Sequence, residues 1–255
     1  MGTWITFNVG QSTALRQQRT KVLREFFAAG GAFIDSSPMY GSAQAVLGHC
    51  LKELKYPKQL FSADKVWTSS TAEGPEQFSA MKELWGLKRF ELLQVHNLVN
   101  WKAHLNLLNK LKSEGQIAHV GITTSHGRDH QELETIMKKE KIDFVQLTYN
   151  VTHRQAETRL LKVALERGIA VIVNRPYDGG DLMAKYKQKP IPPVAKEAGI
   201  YSWAELFLKW VISHPSITVA IPATSKVKHM RENMKACRGA LFDQKLRKSI
   251  GNLFT

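Results

Sequence analysis

The feature that most constrains this chain is a regular alternation, from end to end, of short β-rich runs with longer amphipathic stretches. Candidate strands fall at Trp4–Phe7, Phe33–Asp35, Leu60–Lys65, Leu92–His96, His119–Thr123, Phe144–Thr148, Ala170–Asn174 and Val219–Pro222. Several of them, such as the run from Ile169 to Val173, are apolar without strict alternation, as in strands covered on both faces of a parallel sheet. Helical periodicity fills the gaps at Arg16–Ala29, Ala45–Leu54, Pro75–Leu87, Trp101–Ser113, His130–Lys139, Gln155–Arg167, Tyr201–Ile212 and Lys228–Ala236. Gly30-Gly31 and Gly168 stand where helices should stop. One further helix is expected within residues 243–255, after the last crossing. Eight strands, each followed by a helix, is the count that closes a barrel. The rival, an open doubly wound sheet, usually carries G-x-G-x-x-G after its first strand, and that pattern is missing. The fold class read from the sequence is therefore α/β, a (β/α)₈ barrel.

No Pro/Gly/Ser linker or charge block divides the 255 residues, so a single domain spanning 1–255 is expected. The net charge of +14 would suit a polyanion, but the lysines and arginines are scattered, as at Lys52, Lys55, Lys138, Lys139 and Arg247. There is no basic stripe interleaved with aromatics, so nucleic acid is not the expected partner. Cys50 and Cys237 are too few for a disulfide framework. No apolar run is long enough to span a membrane, and the first twenty residues do not read as a signal peptide. A cytoplasmic monomer is the expectation. His126 and His130 share helical spacing but lack a companion ligand, so no metal site is expected.

Barrel enzymes place their chemistry at the C-terminal ends of the strands. Here six consecutive strands end in polar residues: Asp35, Lys65, His96, Thr123-Thr124, Gln146 to Asn150, and Asn174-Arg175. Tyr40 lies in the loop after Asp35. A phenol has a pKa near ~10, and an adjacent ammonium favours its ionised form. Asp35 could hold Lys65 in place, and His96 could orient a substrate oxygen. That set has the parts of an acid–base machine.

The run from Phe33 through Asp35 and Tyr40 to Ser42 resembles the D-x-x-x-x-Y-G signature of the aldo-keto reductase superfamily. Leu92 to Asn97 is similar to that family's histidine strand, and Ile221 to Lys226 with Glu232-Asn233 to its cofactor segment. The resemblance runs in order from Gly2-Thr3-Trp4 to Asn233. It implies a catalytic tetrad of Asp35, Tyr40, Lys65 and His96, with Tyr40 as proton donor and Lys65 depressing its pKa. It implies NADPH as cofactor and an aldehyde or ketone as substrate. Thr3, Trp4, Thr123, Thr124, Gln146, Asn174, Arg175, Pro176, Ile221, Ala223, Thr224, Ser225, Lys226, Glu232 and Asn233 are the implied cofactor-binding residues. Gln146 would hold the nicotinamide carboxamide; Lys226 would meet the adenosine 2′-phosphate, and Asn233 would lie near the base.

Three departures stand out. Thr123-Thr124 replaces the family's common Ser-Asn. Asn174-Arg175-Pro176-Tyr177 stands where a stacking tyrosine is frequent, a pattern seen in a bacterial branch. His229 occupies a position that is commonly more basic. The connections read as short, with no long insertion expected at the mouth. Met39 and Trp67 are candidates for an apolar wall. Two other functions remain open on the residues: an NADP(H)-binding redox sensor without catalysis, and Schiff-base chemistry at Lys65.

Overall fold

The computed structural model describes residues 1–254. Among them seven parallel strands pair in chain order: β1 (Phe33–Asp35), β2 (Phe61–Val66), β3 (Phe90–Val95), β4 (Ile117–Thr123), β5 (Phe144–Thr148), β6 (Ala170–Asn174) and β7 (Val219–Ala220). The gap between β7 and β1 is bridged by Gly2, which pairs in parallel with both Ala223 and Asp35. The Gly2 amide donates to Pro222 O at 3.2 Å, and the Asp35 amide donates to Met1 O at 2.9 Å. A nearly closed barrel results. The strand expected at Trp4–Phe7 is instead a turn, with Ile5 at φ 60° and the Phe7 amide bonded back to Thr3 O. The eighth position is held by the residues just before that apolar run, which is why its composition misled.

The helices are α1 (Thr13–Ala28), α2 (Ala43–Glu53), α3 (Glu73–Trp85), α4 (Trp101–Ser113), α5 (His130–Lys139), α6 (Leu160–Arg167), α7 (Asp181–Tyr186), α8 (Pro193–Glu197), α9 (Trp203–Ile212), α10 (Val227–Lys235) and α11 (Gln244–Gly251). The expected stop at Gly168 is realised: it caps α6 at φ 66°. The expected C-terminal helix is α11, followed by a short 3₁₀ turn at Asn252–Phe254; Thr255, at the end of the expected range, lies outside the described residues. Between β6 and α9 the chain makes two short helices, α7 and α8, where a short connection was expected. Its punctuation, Gly179-Gly180, Pro190, Pro192-Pro193 and Gly199, breaks helical periodicity often enough to hide elements of six and five residues.

Strand alternation sorts the side chains into two cores. Outward residues such as Ile34, Val66, Leu93, Val95, Val120, Val145 and Val171 pack beneath the helices. Inward ones stack in layers. Phe33, Phe61, His119 and Phe144 form the floor, with Phe33 and Phe61 stacked at 5.1 Å between centroids. Ala63, Leu92, Ile172 and Ile221 fill the middle. Above them the inward positions turn polar: Asp35, Lys65, Gln94 and Gln146, all buried. The apolar fill below leaves this polar layer cut off from water except through the mouth.

Candidate active site

Lys65 and Asp64 adjoin in sequence but face opposite ways, as pleating requires. Lys65 points into the barrel, where its Nζ donates to Asp35 Oδ2 at 2.5 Å and to Ser36 O at 2.7 Å. Asp64 points out, accepting from Gln44 Nε2 of α2 at 2.8 Å and from Trp85 Nε1 of α3 at 2.7 Å. Asp35 Oδ1 accepts from Gln94 Nε2 and Gln146 Nε2, each at 3.0 Å. The carboxylate is thus held by a cation on one oxygen and two amides on the other.

Tyr40 ends a 3₁₀ turn, Pro38–Tyr40, whose first amide is capped by Ser37 Oγ. The Lys65 ammonium lies 5.2 Å from the centroid of its ring. The His96 ring stands edge-on to Tyr40, 5.8 Å between centroids and 87° between planes. Burial pushes the Tyr40 phenol above its usual value, and the Lys65 charge opposes this without overcoming it. The expected depression of the Tyr40 pKa is therefore corrected: the sign of the Lys65 effect is as expected, but loss of hydration is larger. Burial also disfavours the Lys65 ammonium, yet Asp35, Tyr40 and Asp64 together raise its pKa. His96 is held neutral, its pKa lowered to about 2 by burial and then by Lys65 and Arg128. His96 Nδ1 lies 2.8 Å from Ser37 Oγ, which already accepts from the Met39 amide at 3.2 Å. A hydroxyl accepting there is free to donate to Nδ1, which leaves the ring proton on Nε2.

These groups sit at the bottom of a cleft of about 980 Å³ at the C-terminal mouth. Asp35, Tyr40 and His96 line it, with Lys65 directly behind. Of the other residues singled out in the sequence, Thr3, Trp4, Thr123, Thr124, Gln146, Asn174, Arg175, Pro176, Ile221, Ala223, Thr224, Glu232 and Asn233 also line it; Ser225 and Lys226 do not. Lys226 stands at the N-terminal cap of α10, and Lys228 and His229, one turn on, face the cleft instead. Met39 lines the cleft, whereas Trp67 does not; its backbone is clamped by Gln77 of α3. The unexpected α7 and its flanks add Tyr177, Met183 and Lys187 to one wall, and the start of α9 adds Tyr201 and Trp203.

Gln94 and Ser37 were missed by motif reasoning. Gln94 had a readable signal: it shares one face of its strand with Leu92 and His96, so it points inward with them. Gln146 has both amide hydrogens engaged, by Asp35 and by Gln94 Oε1 at 3.3 Å, so only its oxygen can serve a ligand. Asn233 Oδ1 accepts from the Tyr177 hydroxyl at 2.6 Å. Three polar atoms of cleft residues are buried without a partner: Thr124 Oγ1, Asn97 Oδ1 and Arg175 Nε. Leaving such atoms unpaired is costly, so their clustering at one mouth marks a surface shaped for a polar ligand.

Cys50 and Cys237 are both free. Among the described residues no group of histidine, cysteine and carboxylate side chains forms a metal site, and no helix is long and apolar enough to cross a membrane.

The parallel barrel thus carries at its mouth a buried lysine–carboxylate pair under a tyrosine and a neutral histidine. The chain belongs to the aldo/keto reductase family, whose model matches residues 1–250. It is 31% identical over 223 residues to an uncharacterised oxidoreductase of Schizosaccharomyces pombe, covering 80% of this chain and 69% of that protein. Against the pyridoxine 4-dehydrogenase of Escherichia coli it is 26% identical, over 84% of this chain and 79% of that one. The crystal structure of an aldo/keto reductase from Klebsiella pneumoniae in complex with NADP and acetate superposes with a TM-score of 0.83 at 22% identity, covering 100% of this chain and 90% of the other.

Proposed function

We propose that this protein is an NADPH-dependent reductase of aldehydes or ketones in which Tyr40 gives the proton to the carbonyl oxygen. The observation that carries the reading is the buried Asp35–Lys65 pair set beneath Tyr40, with His96 edge-on beside it. NADPH, when bound, supplies the hydride that reaches the carbonyl carbon. The cleft suits such a group: Thr124 Oγ1, and Gln146 Oε1 with only a 3.5 Å contact from Asn174 Nδ2, can serve the carboxamide of a nicotinamide, and Lys228 and His229 its phosphates. Thr224, Glu232 and Asn233 would meet the adenosine end, and Trp4, Pro176, Ile221 and Ala223 supply apolar wall. The NADP complex of the Klebsiella protein supports the same choice of coenzyme.

The residues divide the work. A buried phenol keeps its proton at neutral pH, and the Lys65 charge works against the burial that would weaken it as an acid. As the proton leaves, the Lys65 ammonium lies close enough to stabilise the phenolate, and Asp35 with Ser36 O keeps that ammonium in place. His96, neutral and with Nε2–H available, donates to the carbonyl oxygen and orients it toward Tyr40. Gln94 and Gln146 fix Asp35 so that it does not swing toward the substrate. Fluorescence titration with NADPH and NADH, followed by NADPH consumption over a panel of aldehydes and ketones, tests the proposal. Tight NADPH binding with turnover on the panel is the expected result. Binding without turnover would favour a redox sensor, and no binding of either coenzyme would overturn the reading.

A further inference from the structure

The loop after β4 carries a cation that the reduction chemistry does not use. Ser125, His126 and Arg128 line the same cleft as Tyr40 and His96. The loop is held by its own backbone, with left-handed conformations at His126 (φ 63°), Gly127 (φ 69°) and Asp129 (φ 55°). It is also pinned from below, where the His126 amide donates to Thr148 Oγ1 at 2.9 Å. Arg128 is oriented by its Nε, which donates to Ser125 O at 3.1 Å, and His126 Nδ1 lies 2.9 Å from Ser125 Oγ. Among the described residues the terminal nitrogens of Arg128 have no protein partner, and no carboxylate comes within ion-pair distance of them.

The other cations of the cleft differ in pairing or in place. Arg175 is paired with Asp178 at 3.3 Å, and His153 leans on the same carboxylate at 3.2 Å. Lys187 and Lys189 lie at and just after the end of α7, beyond β6. Lys228 and His229 stand on α10, after β7, on the side that the phosphates of a coenzyme would take. The strand order places β4 beside β3, which delivers His96, and separates it from β7 by β5 and β6. The Arg128 charge is felt at His96, where it adds to burial and Lys65 in keeping the imidazole neutral. An unneutralised guanidinium beside the residue that orients the carbonyl, and across the barrel from the coenzyme's phosphates, faces the substrate. Its planar fork matches a carboxylate or a phosphate.

We infer that Arg128, with His126 beside it, selects the substrate, and that the physiological carbonyl compound carries a carboxylate or phosphate group. The inference rests on the reductase reading above and narrows its substrate class. Matched pairs test it: para-carboxybenzaldehyde against its methyl ester, and glycolaldehyde phosphate against glycolaldehyde. The anionic member of at least one pair should be favoured in kcat/KM by about tenfold or more. Whichever pair shows the preference identifies the anion as carboxylate or phosphate. Arg128→Ala should bring that ratio close to one, and Arg128→Lys should retain part of it as a point charge. Raised ionic strength should compress the ratio in the parent, because the loop is exposed. Without turnover, para-(hydroxymethyl)benzoate or 2-hydroxyethyl phosphate should bind the parent more tightly than the Arg128→Ala protein, measured by tryptophan fluorescence. Equal kcat/KM within both pairs, or a preference that survives Arg128→Ala, overturns the inference and leaves the reductase reading standing. Failure to reduce any of the four compounds counts against the reductase reading, and the binding titration then decides alone whether Arg128 recognises the anion.

Discussion

Replacing Lys65 with Met tests how the site is held together. Met fills the aliphatic stem of Lys65 but removes the ammonium, which is fully buried and makes two short hydrogen bonds. Asp35 Oδ2 then loses its cation while Oδ1 keeps the amides of Gln94 and Gln146. Ser36 O loses its Lys65 donor as well. Breaking one side of a buried ion pair costs about 3–5 kcal/mol, because the remaining charge cannot rehydrate. For a domain of this size, each kcal/mol lowers Tm by about 2–4 °C, so Lys65→Met should melt about 6–20 °C below the parent. The second half of the prediction is a partial rescue. Asp35→Asn in the Lys65→Met background removes the stranded charge while keeping an amide for the same neighbours, and should recover most of the loss. Urea unfolding of the parent, both single variants and the double variant measures all four corners. A loss below about 1 kcal/mol in Lys65→Met, or a double variant as unstable as the sum of the singles, would refute the idea of a mutually dependent buried pair.

Three further outcomes follow from particular contacts. His96 stays neutral in the folded chain far below its ordinary value of 6.5, whereas in the unfolded chain it takes up a proton there. Its contribution is therefore complete above pH 6.5 and lost as pH falls toward about 2, and His96→Asn should flatten the acid limb of a stability–pH profile by one proton; parallel limbs would contradict this. Lys228 faces the cleft and Lys226 does not, so Lys228→Ala should narrow the NADPH–NADH affinity gap by about 1–3 kcal/mol, and by more than Lys226→Ala, in paired titrations. Gly48 of α2 packs on α3 so closely that an added Cβ would fall on the Leu84 carbonyl oxygen, so Gly48→Ala should destabilise by at least about 3 kcal/mol or fail to yield folded protein.

The barrel and its polar mouth were legible because buried parallel strands and amphipathic helices write distinct periodicities, and because polar residues at strand ends break the first of them. Asp35, Lys65 and His96 could be read in that way. The eighth strand could not, since Gly2 makes its two bridges with no run of residues behind it, while the apolar Trp4 to Phe7 segment mimics a strand and turns instead. The short helices α7 and α8 escaped because five or six residues carry too little periodicity to outweigh their glycines and prolines. That Lys228 faces the cleft while Lys226 does not depends on where α10 begins, since one residue of shift rotates a side chain by ~100° about the axis. Gln94 was readable from strand alternation alone, but no motif drew attention to it. The sign of the Tyr40 shift depended on burial depth, which spacing does not encode.

The central claim, that Tyr40 is the proton donor of a carbonyl reductase, is tested most directly by comparing the parent with Tyr40→Phe in two measurements on the same samples. The first is the NADPH dissociation constant by fluorescence, and the second is the rate of NADPH consumption on the best aldehyde of the panel. Phe keeps the ring that packs against His96 and Lys65 and removes only the hydroxyl. Turnover should fall by about 10²–10⁴-fold, while the dissociation constant stays within about twofold of the parent's. Near-normal turnover in Tyr40→Phe would contradict the account and move the proton to His96 or water.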